Sequence, residues 1–185
     1  MNKHVVKRIG SFFKVLATGA LLLGTASSTL SAAPAADAVS PSPLFSSISL
    51  DGKSVSSANL AGKPYIVNFF ASWCPPCRAE IPDMVALQNK YAKKGFTFIG
   101  VAVNENEQTI RTFIKNNGIG YPVVMADPQI VGAFSRYVEG GLRSIPTSFV
   151  VSPSGKITQV ITGSRSKDAF EKLIVEALRK PGKAK

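Results

Sequence analysis

The chain has 185 residues, enough for one domain and a leader, and its 45% hydrophobic content can fill a core. The formal charge of +11 sits mostly at the ends: Lys3, Lys7, Arg8, Lys14 and Arg179, Lys180, Lys183, Lys185 carry eight cations, and removing them leaves +3. No basic stripe interleaved with aromatics remains, which argues against a nucleic-acid partner, and the only histidine is His4, which excludes Ser-His-Asp or Cys-His nucleophile systems and a histidine metal site in the body of the chain.

Residues 1–36 read as a targeting segment. Met1 to Lys14 is basic and free of acids, and Val15 to Leu30 is apolar or small. Gly24-Thr25-Ala26 and Ala33-Pro34-Ala35 both fit a small-x-small cleavage site. A cleaved secretory signal is the first reading. An uncleaved anchor is the second, since the uncharged run Val15–Ala36 is long enough to span a bilayer. No cysteine follows the apolar run, so lipoprotein anchoring is excluded. Either way the domain, residues 37–180, is expected in an oxidising compartment, a periplasm, with a tether to the inner membrane under the second reading. Residues 181–185 form a basic tail.

Ser31 to Pro43 is rich in Ala, Ser and Pro and reads as a linker. Phe45 to Val55 carries Asp51-Gly52, a hairpin turn signal between short strands. Pro64 to Ala71 is an apolar, aromatic run that predicts a buried strand. Arg78 to Lys94 predicts a helix ended by Gly95, with Met84, Leu87 and Tyr91 on its core face and Pro82 inside it. Phe96 to Val103 is apolar throughout and predicts a central parallel strand. Asn104 with Glu107 predicts the cap of a helix over Glu105–Asn116, with Gly118 as its stop. Tyr121 to Met125 predicts a short strand, and Asp127-Pro128 the start of another helix. Pro146 precedes a strand over Thr147–Val151. A turn at Ser152–Lys156 leads to a strand over Ile157–Thr162. Ser166 caps a last helix with Phe170, Leu173, Ile174 and Leu178 on one face, ended by Pro181 and Gly182.

Trp73-Cys74-Pro75-Pro76-Cys77 holds the only two cysteines, at the point where a strand turns into a helix. The first helical turn carries unpaired N–H groups and a partial positive charge, so it stabilises a thiolate. The thiolate is the nucleophile in disulfide exchange. Cys74, at the helix start, is expected to attack, and Cys77, one turn on, to resolve. Pro75 and Pro76 lack N–H donors that the first turn does not need. Glu80 lies one turn past Cys77 and reads either as a proton-transfer group or as a solvated helix carboxylate. Zinc wants four ligands, and only one Cys pair exists. A structural disulfide closing so short a loop would constrain little of the unfolded chain. Redox chemistry is the stronger reading.

The run Val67 to Pro82, with its Trp-Cys-x-Pro-Cys-Arg-x-Glu-x-Pro pattern, resembles the active site of the thioredoxin superfamily, in its TlpA/ResA/CcmG (DsbE) branch. The resemblance covers most of the chain after about Val39. It implies an α/β, thioredoxin-like fold with an N-terminal β-hairpin and an inserted βα unit, here Phe96 to Tyr137, between the active-site helix and the cis-Pro strand. It implies that Pro146 is cis and faces the Cys74–Cys77 pair, with Ile145 and Trp73 presenting a substrate surface. It favours a functional Glu80. Thioredoxins carry a buried aspartate where this chain has Asn68, and the TlpA-like branch shares the amide, so proton handling is left to Glu80, water or the partner.

The resemblance further implies an extracytoplasmic thiol–disulfide oxidoreductase with no other cofactor. It would reduce client proteins such as apocytochrome c or a copper-site assembly protein, with a DsbD/CcdA-like membrane thiol transporter as electron donor. Three alternatives stand beside it. A DsbA-like oxidant or isomerase shares the fold, but its dipeptide usually holds a histidine where this chain has Pro75-Pro76. A peroxiredoxin needs Thr-x-x-Cys, and Ala71-Ser72-Trp73-Cys74 lacks it. A Cu(I) chaperone could use two soft thiolates, but no His or Met cluster flanks them.

Overall fold

A computed structural model describes residues 40–179. The targeting segment, the basic tail and the helix stop at Pro181-Gly182 lie outside the described residues. Eight strands and four helices follow in chain order. They are β1 (Ser40–Pro41), β2 (Ser46–Ile48), β3 (Ser54–Ser56), β4 (Tyr65–Phe70), α1 (Pro75–Tyr91), β5 (Thr97–Ala102), α2 (Glu107–Asn116), β6 (Val123–Met125), α3 (Pro128–Ser135), β7 (Thr147–Val151), β8 (Lys156–Thr162) and α4 (Lys167–Leu178). Among these, no helix is long and apolar enough to cross a membrane.

The main sheet is mixed, in the order β1-β8-β7-β4-β5-β6, with β5 parallel to β4 and to β6. The other pairings are antiparallel. All six residues of β4 are buried, as expected of a central strand covered on both faces. Ile66 and Phe70 face one core with Met84, Leu87, Phe98, Phe170 and Ile174, under α1 and α4. Val67 and Phe69 face the other, with Phe45, Ile130, Phe134 and Phe149. Phe134 places the inserted unit in this second core: its ring lies 5.5 Å from Phe69 and 4.8 Å from Phe149. The β2–β3 hairpin forms a separate small sheet and turns at Gly52, whose φ of 82° suits glycine.

Three local expectations are corrected. Helix α1 begins at Pro75, not Arg78, because Cys74 is its N-cap and both prolines fit the first turn. It ends at Tyr91, followed by a 3₁₀ turn over Ala92–Lys94 and a left-handed Gly95. Helix α2 begins at Glu107 and is capped by Asn106, whose side chain accepts from the Thr109 N–H at 2.8 Å. Asn104 instead adopts a left-handed φ of 53°. Within the stretch read as a linker, Ser40 and Pro41 pair with Ile157 and Lys156. An edge position tolerates the missing proline N–H.

Candidate active site

Strand β4 ends at Phe70, and only four residues separate it from the start of α1 at Pro75. That turn brings Cys74 to the helix N-terminus. Its Sγ accepts from the Cys77 N–H at 3.4 Å, so the sulfur occupies the place of an ordinary capping oxygen. Cys74 and Cys77 form a disulfide, with Cα atoms 5.3 Å apart. Cys74 is 3% exposed and Cys77 is fully buried, so Cys74 is the sulfur a partner can reach first.

The Ile145–Pro146 bond is cis. The Ile145 carbonyl oxygen lies 3.8 Å from Cys74 Sγ, which sets the start of β7 against the helix N-terminus. Among the described residues, no backbone group bonds to the Ile145 N–H or C=O. Trp73 is 57% exposed, and its indole N–H donates to the Asn104 carbonyl at 3.4 Å. A groove of about 460 Å³ opens beside it, lined by Phe69, Val103, Val131, Leu142, Arg143 and Ile145 among others.

Behind the sulfurs lies a buried polar group. Glu80 is 3% exposed. Its Oε1 accepts from Asn68 Nδ2 at 2.9 Å and its Oε2 from the Arg165 N–H at 3.1 Å. Asn68 Nδ2 also donates to Ser148 Oγ at 2.9 Å. The solvated-carboxylate reading of Glu80 is therefore set aside. Burial pushes the Glu80 carboxyl up to about 7, against the opposing hydrogen bonds from Arg165 and Asn68. Burial, and then the charge of Glu80, also raise the Tyr121 phenol above its ordinary range.

The structure thus brings Trp73, Cys74, Pro75, Pro76, Cys77, Glu80, Ile145 and Pro146 to one end of the sheet. Sequence reasoning missed Ser148, Arg165, Tyr121 and Glu105. Ser148 carried a signal: with Thr147 it is one of two polar residues in the fully buried strand β7, and it pairs in register with Asn68. Arg165 acts through its backbone, which no side-chain pattern reports. Among the described residues, no three His, Cys, Asp or Glu side chains gather as a metal set.

The Redoxin family profile matches residues 32–177. The chain belongs to the Redoxin family. The thiol-disulfide oxidoreductase ResA of Bacillus thuringiensis is 32% identical over 130 residues, 70% of this chain and 72% of that one. A crystal structure of a thiol:disulfide interchange protein from Chlorobium tepidum superposes with a TM-score of 0.74 at 52% identity, covering 76% of this chain and 97% of that one. A second Chlorobium tepidum structure, described as a DsbE-type interchange protein, superposes at 0.66 with 29% identity, over 76% and 97% of the two chains. This Redoxin protein is a member of the thioredoxin superfamily of the TlpA/ResA/CcmG kind, and a thiol–disulfide oxidoreductase.

Proposed function

We propose that this Redoxin protein is an extracytoplasmic reductase of client-protein disulfides, acting through the Cys74/Cys77 dithiol. The observation that carries the reading is the placement of Cys74 Sγ at the N-terminus of α1, 3.8 Å from the Ile145 carbonyl, which has no backbone partner among the described residues. A client strand laid along Ile145 would bring its disulfide to that sulfur. Trp73, Ile145 and the groove between them are the client surface, with Pro75, Pro76 and Pro146 shaping it.

The exchange balances in two steps. The Cys74 thiolate attacks one client sulfur, forming a mixed disulfide and expelling the other client sulfur as a thiolate, which takes a proton. The Cys77 thiolate then attacks Cys74 Sγ, closing the Cys74–Cys77 disulfide and releasing the second client thiol. Two electrons have passed to the client. A carboxyl that titrates near 7 can take the proton from Cys77 and return it, and this is the role of Glu80. The dithiol is restored by two electrons from a membrane thiol transporter of the DsbD/CcdA kind.

Clients would be the haem-site cysteines of apocytochrome c or the oxidised cysteines of a copper-site assembly protein. The leader over residues 1–36 would deliver the domain to the periplasm, released or tethered. The resemblance of the Val67–Pro82 run to the TlpA/ResA/CcmG branch supports the reducing direction, as does the absence of histidine between the cysteines.

The test is the reduction potential of the Cys74–Cys77 couple, equilibrated against glutathione or dithiothreitol with thiol labelling. Thioredoxin lies near about −270 mV and the oxidant DsbA near about −120 mV. A value at or below the former is expected. A value near the latter overturns the reductase reading in favour of an oxidant or isomerase.

A further inference from the structure

The corner between β5 and α2 holds an acid that its own helix does not use. Asn106 caps α2, which leaves Glu105 outside the helix. The left-handed turn at Asn104 sends the Glu105 side chain back toward the active-site loop, 33 residues away in sequence. There its Oε1 accepts from the Ser72 backbone N–H at 2.8 Å and also from the Ser72 hydroxyl. Next to it, the Asn104 carbonyl accepts from the Trp73 indole. The corner itself is held, since the Val103 N–H donates to the Phe70 carbonyl at 2.9 Å. Two consecutive residues of the corner therefore grip two consecutive residues of the loop that delivers Cys74.

The other oxygen, Glu105 Oε2, is buried and has no hydrogen-bond partner among the described residues. Leaving a carboxylate oxygen buried and unpaired is unfavourable. It is tolerated here beside an Oε1 that takes both donors of one residue in charge-assisted bonds, which are among the stronger ones.

We propose that Glu105 is a positioning residue for disulfide exchange. By fixing Ser72, and with Asn104 fixing Trp73, it holds the loop so that Cys74 Sγ stays at the helix N-terminus beside the Ile145 carbonyl. Its effect falls on the rate at which the attacking sulfur is presented, through Ser72, and not on the sulfurs by contact. The proposal rests on the dithiol reading above.

Trp73 is the only tryptophan, so its fluorescence reports this loop alone. The experiment measures, on the reduced full chain, the second-order rate with oxidised glutathione and the fluorescence anisotropy of Trp73. Glu105→Ala is expected to slow exchange at least tenfold and to lower the anisotropy. Glu105→Gln keeps an acceptor for both Ser72 donors, and is expected to stay within about threefold of the parent with anisotropy unchanged. Ser72→Ala loses only the hydroxyl bond; it is expected to slow exchange by a smaller factor, and to add nothing in the Glu105→Ala background. A Glu105→Ala rate within threefold of the parent overturns the proposal, as does Glu105→Gln being as slow as Glu105→Ala. If Glu105→Ala does not fold, the Ser72→Ala and Glu105→Gln pair decides: Ser72→Ala at parental rate and anisotropy overturns it. Should the parent itself fail to exchange with oxidised glutathione, the dithiol reading is what has failed.

Discussion

The Asn68 amide donates to the Glu80 carboxylate at 2.9 Å, joining the central strand to the active-site helix inside the core. An amide cannot titrate, so the proton at this place belongs to Glu80. The strand residue aims the acid, and the helix residue carries the chemistry.

The first prediction concerns the pH dependence of stability. Glu80 ionises near 4.5 in an unfolded chain and near 7 in this fold. Between those values the folded state binds more protons, so unfolding free energy falls as pH rises. The loss is about 3 kcal/mol, complete once pH passes 7. Glu80→Gln removes the titration. Its one carbonyl cannot serve both the Asn68 amide and the Arg165 N–H, so it costs about 1–3 kcal/mol at low pH. The slope is the readout: urea unfolding of the disulfide form between pH 4 and 8 should decline for the parent and run flat for the variant.

The second prediction isolates the two cysteines. Cys74→Ser is expected to abolish exchange, since the more accessible sulfur is gone. Cys77→Ser is expected to retain attack but to stop at the mixed disulfide. Non-reducing electrophoresis after mixing with an oxidised client protein checks both: a trapped adduct for Cys77→Ser and none for Cys74→Ser.

The third concerns Gly100, whose strand position has no room for a methyl group. A Cβ there would lie 2.9 Å from Phe70 Cε1 and 3.2 Å from Val123 Cγ2. Neither a buried ring nor a β-branched residue of the next strand can give way freely. Gly100→Ala should cost about 1–3 kcal/mol by overpacking, in spite of alanine's lower entropy loss. Urea denaturation with an unchanged m-value measures it.

Much of this fold was legible because its signals are local. The apolar run of β4, the Cys-Pro-Pro-Cys helix start, Asp127-Pro128 and Ser166 each declare themselves within a few residues. The less legible contacts are long in sequence or depend on a choice between equivalent residues. Ser148 meets Asn68 across 80 residues, and the Arg165 N–H meets Glu80 across 85. Ser40 and Pro41 look like linker by composition, and join the sheet because β8 offers an open edge. Asn104 and Asn106 are the same residue type two apart. Asn104 fits the left-handed turn, which leaves the capping geometry to Asn106.

That division of labour supports a fourth prediction. Asn106→Ala should destabilise the protein by about 1 kcal/mol through loss of the helix cap. Asn104→Gly should fall within a few tenths of the parent, because glycine accepts a positive φ and the Asn104 contact to Trp73 uses its backbone carbonyl. The opposite order, with Asn104→Gly the costlier change, would return the cap to Asn104. Urea denaturation of the two variants side by side checks it.

The last prediction tests whether the inserted unit is fastened to the core. Phe134 is fully buried, on a helix of only eight residues. So short a helix has little stability of its own. It is held by Phe134, whose ring meets those of Phe45, Phe69 and Phe149 at 4.8–5.9 Å. Phe134→Ala removes three aromatic contacts and leaves a cavity between α3 and the sheet, so it should cost about 3–5 kcal/mol. Phe134→Leu keeps most of the volume and should recover more than half of that. Because Val131 of the same helix lines the groove beside Trp73, the alanine variant should also slow exchange with a protein client more than with oxidised glutathione. Equal slowing with both substrates would mean that the damage reaches the sulfurs themselves and not the groove.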